Sequence, residues 1–529
     1  MDVVFLSRVQ FALTIMFHYL FPPLTIGLGL LIVIYEIQHY RTGEVVWRRT
    51  VDFWVKLFAV TFAVGVASGI VMEFQFGTNW AVYSRFVGDV FGSALAAEGI
   101  FAFFMESGFL AVLVFGRGRV SKRFYLIAAI MVNLGAIFSS VWITVANSWQ
   151  QTPAGSHIVQ MQRANAETGE MEPWFVDGEP MMRAEITDFW ALIFNPSSIN
   201  RLTHVWTGCF ILGGTFVLSI CAWYVLRGRH LDLARRCMPA ALVVTLLGTL
   251  TAAVTGDFNA RMVAEHQPAK LAAMEGHLET GDGPSGLIVF GIPSADGASI
   301  RYPLEIPGML TTLVNYELPA KSPVLGMDRI RPKDRPPVAI PFIAFRLMVG
   351  TGVLLLLISI FALLYWWRGT LFSKRWMMWL LVFAVFGGFT ANEAGWIAAE
   401  VGRQPWIVYP PIVRDTEGEP VLSDDGFIQY ETIELRSADG SSTHEMVAGL
   451  RTSKGVSESV DRQSVLISIV MFGMIYGMLF LVWAFVLDAK IGHGPDTEDD
   501  RKEPAGGFVA AVVGSAHDSM TGLRDKDET

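Results

Sequence analysis

The chain has 529 residues, of which 52% are hydrophobic and 17% charged, and its mean hydropathy of +0.43 excludes an ordinary soluble domain. The net charge is −9, but the acidic residues cluster in a few polar segments, so we expect no nucleic-acid partner. Cys209, Cys221 and Cys237 lie in apolar sequence without CxxC or CxxCH spacing, which excludes a disulfide framework and a covalently attached c-type haem.

Nine apolar blocks are each long enough to cross a bilayer, which takes about 20 residues in a helix. They predict an all-α membrane protein with nine transmembrane helices in one bundle, at about 8–36, 52–76, 92–116, 123–147, 203–227, 236–257, 338–367, 376–401 and 464–488. The first block has neither a basic region before it nor a small-residue cleavage site, so we expect it to remain in the mature protein.

Basic residues mark every connection from an odd-numbered span to the next even-numbered span. They are Arg41, Arg48, Arg49, Arg117, Arg119, Lys122, Arg123, Arg227, Arg229, Arg235, Arg236, Arg368, Lys374 and Arg375. Because short cytoplasmic connections carry an excess of Lys and Arg, the N-terminus is predicted to be periplasmic and the C-terminus cytoplasmic.

This orientation places three long polar segments outside, at about 148–202, 258–337 and 402–463. Residues 491–529 read as a solvated, disordered cytoplasmic tail. The predicted organisation is therefore helices 1–6 in 1–257, an outer loop at 258–337, helices 7–9 in 338–490 with the inserted outer loop 402–463, and the tail.

Few ionisable side chains lie within the spans, and burying a charge in hydrocarbon costs at least ~2.5 kcal/mol, so each is a functional candidate. Together with one methionine they gather in the outer half of the predicted bundle: His18, Glu98, Glu106, His204, Arg346, Met348, Glu400 and, just beyond, Arg403. Singly, each has a plain alternative, since a lone His often only packs and Met348 is one of 22 methionines.

Taken together, these residue types favour a multi-haem site. Neutral imidazole and thioether are ligands of low-spin b-type haem, and a carboxylate or single imidazole leaves the iron able to react with a small gas. Arginine suits haem propionates. The spacings typical of zinc or copper sites are missing from the sequence.

Four sequence runs resemble subunit I of the cytochrome bd quinol oxidases: SRVQF at 7–11 leading to His18, EFQFGTNW at 73–80, VAN at 145–147 and GWxxxExGRQPW at 395–406. The resemblance extends over nearly all nine spans. It implies a quinol:oxygen oxidoreductase of the bacterial inner membrane that oxidises quinol at the periplasmic side and reduces O2 to water. It also implies a proton gradient made by charge separation without pumping, a second membrane subunit and a small third subunit.

The resemblance implies a role for each haem-site residue. His18 would bind the oxygen-reactive haem, which is haem d or a third haem b in its place, with Glu98 as the opposite ligand or a close partner. Glu400 would bind haem b595, with the catalytic Trp396 packed between haems and Arg403 as a counter-charge. His204 and Met348 would be the axial pair of haem b558, and Arg346 would lie next to it.

The resemblance also implies a proton route and a quinol site. Glu106 would lie on the proton path near Ser139 or Ser140, and Lys270 and Glu275 would bind quinol; from the residues alone, ordinary surface charge is the favoured interpretation of that pair. The quinol loop is of the short kind found in both ordinary and cyanide-insensitive oxidases, so haem d and haem b at His18 both stay open. Segments 157–185 and 410–455 look longer than is usual in the family.

Two other classes of protein remain as alternatives. A haem-free proton-coupled transporter or channel would use the same buried Glu and Arg residues, and a structural subunit would only anchor partners. The transporter would purify without the colour of a haem, and in the structural subunit the buried ionisable groups would be costly and without purpose.

Overall fold

A computed structural model describes residues 2–165, 169–176, 178–437 and 442–496. Most of the predicted tail, 497–529, lies outside the described residues. Within them the chain is mainly helical, with short strands confined to the long connections.

The long helices are α1 (Val3–Tyr19), α2 (Pro22–Thr42), α3 (Val45–Gly77), α4 (Ala81–Ala97), α5 (Phe104–Phe115), α6 (Lys122–Gln151), α8 (Ser198–Arg227), α9 (Leu231–His266), α12 (Ala339–Trp367), α13 (Arg375–Val401) and α14 (Arg462–His493). Counting α1 and α2 together, eight helical stretches of the described chain are long and apolar enough to cross a membrane. The prediction of nine is therefore not confirmed.

The first predicted span is interrupted. Helix α1 ends at Tyr19 and α2 begins at Pro22, with Pro23 following it in the first turn. Proline lacks an N–H donor and is tolerated only in the first turn of a helix, so the pair starts a new helix. His18 therefore lies in the last turn of α1, where its carbonyl accepts a bond from Phe21 N at 3.1 Å.

The third predicted span, 92–116, accounts for the missing helix. Helical backbone runs from Ala81 to Phe115, but a π-helical segment, Glu98–Phe103, separates α4 from α5. The apolar part beyond it, α5, is too short to cross a membrane by itself. Because π segments inside α-helices are frequent at functional sites, the interruption at Glu98 draws attention to that residue.

The centre of the bundle is α8, which packs against α2, α9 and α13. Glycines permit the closest approach: a Cβ atom on Gly27 would overlap the carbonyl oxygen of Cys209, and one on Gly213 would overlap the backbone of Gly27. The three cysteines are free and buried.

The long connections 152–197, 267–338 and 402–461 lie at one end of the bundle, which we call the long-loop end. They carry the short helices α7 (Phe189–Ile193), α10 (Pro268–Glu275) and α11 (Met309–Asn315). Helix α9 continues to His266, so the expected loop boundary near 258 is wrong.

Antiparallel two-stranded sheets fill the rest of this end, so the all-α prediction is wrong for the connections. They pair β1 (Ser156–Gln160) with β6 (Met182–Ile186), β2 (Gln162–Ala164) with β3 (Met171–Pro173), β4 (Phe175–Val176) with β5 (Glu179–Pro180), β7 (Leu287–Pro293) with β8 (Ile300–Ile306), β9 (Trp406–Val408) with β12 (Leu450–Arg451), and β10 (Thr432–Arg436) with β11 (Thr443–Val447). Segments 157–185 and 410–455, which look longer than is usual in the family, contact each other. The side chain of Gln160 forms two 3.0 Å hydrogen bonds with the backbone of Arg436.

Candidate haem and quinol site

Two histidines present the same arrangement. His18 Nδ1 lies 3.0 Å from Ser68 Oγ on α3, and His204 Nδ1 lies 2.9 Å from Thr255 Oγ1 on α9. Each hydroxyl also donates to a backbone carbonyl of its own helix, Ser68 to Gly65 and Thr255 to Thr251. With its proton engaged there, the hydroxyl accepts from Nδ1–H, which leaves the lone pair on Nε2.

Neither Nε2 atom has a hydrogen-bond partner among the described residues. A hydrogen bond from the non-ligating nitrogen is what orients a metal-binding imidazole and fixes its tautomer. Both rings therefore fit the role of an iron ligand.

The candidate neutral ligands each lie against a glycine of a neighbouring helix. A Cβ atom would lie 3.1 Å from His18 Cε1 if placed on Gly69, 3.5 Å from His204 Cε1 if placed on Gly256, and 2.8 Å from Met348 Sδ if placed on Gly395. His204 and Met348 lie on α8 and α12, and both helices pack against α9 and α13. The predicted axial pair thus belongs to one group of four helices.

Glu400 is the centre of a dense polar cluster at the end of α13. Arg403 Nη2 donates to Glu400 Oε2, while Asn147 Nδ2 and Gln151 Nε2 donate to Oε1 at 3.1 and 3.2 Å. Arg201 Nη2 lies 3.9 Å from the same oxygen. The carboxylate is held in one orientation by hydrogen bonds from α6 and from Arg403, which follows the end of α13.

Lys270 belongs to this cluster and does not lie on the surface of the connection 267–338. It is 1% exposed, and its Nζ donates to Gln151 Oε1. Burial lowers the pKa of Lys270 well below its ordinary value, and the neighbouring Arg201 acts in the same direction. The interpretation of Lys270 as surface charge is wrong.

Glu275 faces another way, so the structure does not bring the two predicted quinol residues together. Five residues of helix separate them by roughly 140° around α10. Glu275 is buried and forms a 2.9 Å ion pair with Arg346 Nη2. Burial raises the pKa of the Glu275 carboxyl, and Arg346 opposes this rise.

Arg346 donates hydrogen bonds to backbone carbonyls of the connection 267–338. Nη1 donates to the carbonyl of Met274, Nη2 donates to the carbonyl of Ile288, and the guanidinium carbon lies 3.9 Å from the ring centroid of Phe342. Its predicted place beside a haem thus gains no support from these contacts.

The two acids of the third predicted span have different surroundings. Glu98 accepts a 2.6 Å bond from Ser139 Oγ. The predicted nearness of Ser139 or Ser140 to Glu106 stays a prediction. Ser140 Oγ accepts from Trp206 Nε1 at 2.8 Å. Glu106 is buried, and its Cβ lies against Gly135 of α6.

An aromatic contact connects the His18 and Glu400 regions. Trp396, one turn before Glu400, stacks on Tyr19 with ring centroids 5.4 Å apart and an interplanar angle of 19°. Since Tyr19 follows His18 in the chain, this contact packs the end of α1 against α13.

Sequence reasoning missed several polar residues of this site. They are Ser68, Gln150, Gln151, Arg201, Thr255 and Glu393. Glu393 lies two turns before Glu400, and neither of its buried carboxylate oxygens has a partner among the described residues. Glu393, like Glu400, is an acid within an apolar span and could have been found by the same criterion. Arg201 and Gln151 lie at helix ends among other polar residues, where nothing in the sequence distinguishes them.

The chain matches the family model for cytochrome bd terminal oxidase subunit I over residues 6–495. It is 35% identical to the cytochrome bd-II ubiquinol oxidase subunit 1 of Escherichia coli strain K12, with 77% of this chain and 88% of the relative covered. It is 32% identical to the cytochrome bd ubiquinol oxidase subunit 1 of Bacillus subtilis strain 168, with 94% and 96% covered.

The solved structure of the bd oxidase from Geobacillus thermodenitrificans matches with a TM-score of 0.74 and 27% identity, over 93% of this chain and 99% of that one. The predicted resemblance is confirmed. The chain therefore belongs to the cytochrome bd terminal oxidase subunit I family, as a multi-pass inner-membrane quinol:oxygen oxidoreductase subunit that works with a subunit II.

Proposed function

We propose that this chain carries the quinol site and the three haem sites of its oxidase, oxidises quinol at the long-loop end, and separates charge without pumping protons. The observation that carries the proposal is the pair of imidazoles, His18 and His204, each with Nδ1 bonded to a hydroxyl and Nε2 left with its lone pair.

In this proposal His18 holds the oxygen-reactive haem, of d or b type, with Glu98 nearby. Glu400 holds haem b595, and His204 with Met348 holds haem b558. When bound, the haems supply one-electron redox chemistry and the iron at which O2 is reduced to water.

An excess of positive charge around Glu400 favours the binding of an anionic ligand there. One carboxylate faces Arg201 and Arg403, and the Nε atoms of both arginines are buried without partners among the described residues. Even with Lys270 neutral, positive charge is in excess. Haem propionates would supply the missing negative charge, and the planar guanidinium fork suits them.

Glu275 is the proposed proton acceptor for quinol. Its raised pKa makes the carboxylate a stronger base than an exposed Glu, and Arg346 holds it in place. Lys270 lies on a different face of α10 from Glu275, and its bond to Gln151 anchors α10 on the Glu400 cluster.

The sides of the membrane on which protons are released and taken up follow from where the two sites lie in the bundle. We propose that the long-loop end is periplasmic, so protons from quinol leave on that side. Protons for water come from the cytoplasm through Glu106 and then Glu98, eight residues or ~12 Å nearer the long-loop end, together with groups of subunit II. Release on one side and uptake from the other separates charge, and a small third subunit completes the proposed complex.

The experiment compares Glu275→Gln with Glu279→Gln in the purified complex, measuring oxygen consumption with added quinol. Glu279 lies in the same loop, is exposed and is the matched control. We expect Glu275→Gln to lower kcat/KM by at least about tenfold at unchanged haem content, since a general base contributes about 10²–10⁴-fold. Unchanged turnover in Glu275→Gln would remove this residue from the quinol site.

A further inference from the structure

The hairpin of β7 and β8 exposes an unusual amount of apolar surface for a loop. Six of its large side chains are 45% to 81% exposed: Val289, Phe290, Ile292, Tyr302, Leu304 and Ile306. Soluble surfaces rarely leave such a contiguous patch uncovered, so something covers this one.

The depth of the hairpin identifies its surroundings. The carbonyl of Ile288, at its base, is bonded by Arg346, which lies seven residues inside α12 or ~10 Å along the helix axis. At its tip, a Cβ on Gly297 would lie 3.3 Å from Val338, the residue before α12. The hairpin thus lies along the outermost turns of a membrane-spanning helix.

The neighbouring surface of α12 is apolar and open. Ile340, Ile343 and Leu347 repeat at helical spacing and are 49% to 56% exposed. They lie in the first turns of α12, a helix long and apolar enough to cross a membrane, as expected of a helix face in contact with lipid. The hairpin's apolar surface lies at the same height, and its turn, 294–299, is polar.

We propose that the β7–β8 hairpin is embedded in the outer leaflet of the membrane, with its apolar side chains against lipid acyl chains. The strands pair with each other and Arg346 caps the carbonyl at the base. The outer edges of the two strands, which this pairing leaves open, stay at the level of the headgroups, where water satisfies them, while the side chains reach the acyl chains. Tyr302 and Arg301 suit the interface, where amphipathic side chains reach the headgroups.

This position has a consequence for the substrate. Glu275 and Arg346 lie behind the hairpin, since Ile288 and Glu275 bind the same guanidinium group. The hairpin is then the lipid-side wall of the quinol site, and the apolar tail of a quinol passes beside it. This second part rests on the proposed role of Glu275, whereas the lipid contact does not.

The test places a cysteine at Leu304 or Phe290 and labels it with an environment-sensitive fluorophore in the purified complex, reconstituted in nanodiscs. The native cysteines of this chain are buried, and unsubstituted complex gives the background. Ala295→Cys, in the exposed turn of the same hairpin, is the matched control. Retained haem bands show that each variant has folded.

With lipids brominated on the acyl chains, we expect the labels at 304 and 290 to lose most of their fluorescence and the label at 295 to keep most of it. A water-like, unquenched label at 304 would overturn the proposal. So would a blue-shifted label insensitive to bromine, because a protein surface, either subunit II or a second copy of this chain, would then cover the hairpin.

A second variant, Phe290→Ser with Leu304→Ser, tests the substrate wall. Losing two apolar contacts is expected to raise KM for a long-tailed quinol by about three- to tenfold and to leave KM for a short-tailed quinol nearly unchanged. An equal change of KM for both quinols would overturn the proposal that the hairpin is the lipid-side wall of the quinol site. Failure of the proposed function would give a different result, because the unsubstituted complex would then oxidise neither quinol.

Discussion

Two buried clusters of charge lie at opposite ends of the bundle, and they differ in balance. At the end away from the long loops, Arg117 Nη1 and Nη2 donate to Glu36 at 3.1 and 2.8 Å, and Nε donates to Asp52 at 2.8 Å. Burial acts to lower the pKa of Arg117, but Glu36 and Asp52 outweigh it and raise that pKa. Every guanidinium nitrogen has a partner.

The cluster at the long-loop end is not balanced. Glu400 faces two arginines and Lys270, and the Nε atoms of Arg201 and Arg403 have no partner within the described part of the chain. A buried charge without a partner is costly, and it persists where a ligand completes the site. We infer that the balanced cluster holds helices together, whereas the unbalanced cluster is completed by an anionic ligand.

The largest expected effect is on the balanced cluster. Arg117→Ala leaves Glu36, which is 0% exposed, without its cation, and we expect a loss of about 3–5 kcal/mol of stability. Thermal unfolding of the purified complex measures it. Arg119→Ala, exposed in the same connection, is the control and should change stability by less than about 0.5 kcal/mol. Equal melting temperatures for both variants would refute the distinction between the clusters.

The next effect separates ligand binding from folding. Glu400→Gln removes the carboxylate from the unbalanced cluster, and we expect the complex to lose one haem and its quinol oxidase activity while remaining assembled. Haem per complex, from extracted pigment, is the measurement. Glu279→Gln, which changes an exposed carboxylate of the long-loop end, is the control and should keep all of its haem. Full haem content in Glu400→Gln would show that the cluster serves only structure.

Sequence reasoning found most ligand candidates because rare polar residues stand out in apolar spans. It could not find the partners that orient them, since Ser68 and Thr255 are ordinary helix residues until His18 and His204 lie beside them. Lys270 and Glu275 were assigned to one site through the resemblance, yet the direction in which a helix presents each side chain separates them. Pro22 and Pro23 carry a signal for the break in the first span, but the sequence analysis predicted one continuous span there, and it predicted no strands in 287–306.

A smaller effect should distinguish the two imidazoles. Ser68→Ala and Thr255→Val each remove the hydroxyl at one Nδ1, and loss of such a partner typically costs about 10–100-fold in metal affinity. We expect Ser68→Ala to weaken the carbon monoxide-binding haem and Thr255→Val the low-spin haem, each leaving the other band intact. Spectra of the reduced complexes, with and without carbon monoxide, measure this. The same band affected in both variants would contradict the separate assignments.

The smallest expected effect is a displaced pH profile. Because the pKa of Glu275 is raised, its carboxylate should take up a proton at a higher pH than an exposed Glu, so base catalysis is present above that pKa and lost as pH falls through it. The dependence of kcat/KM on pH should therefore show an acid limb, and Glu275→Gln should abolish it. An unchanged limb in the variant would assign it to another group.

The central claim is that His18 and His204 hold different haems, and the most direct measurement is the reduced-minus-oxidised spectrum of the purified complex with His18→Ala or His204→Ala, before and after carbon monoxide. We expect His204→Ala to lose the low-spin b bands but still bind carbon monoxide, and His18→Ala to lose carbon monoxide binding but keep the low-spin bands. Intact low-spin bands in His204→Ala, or intact carbon monoxide binding in His18→Ala, would contradict it.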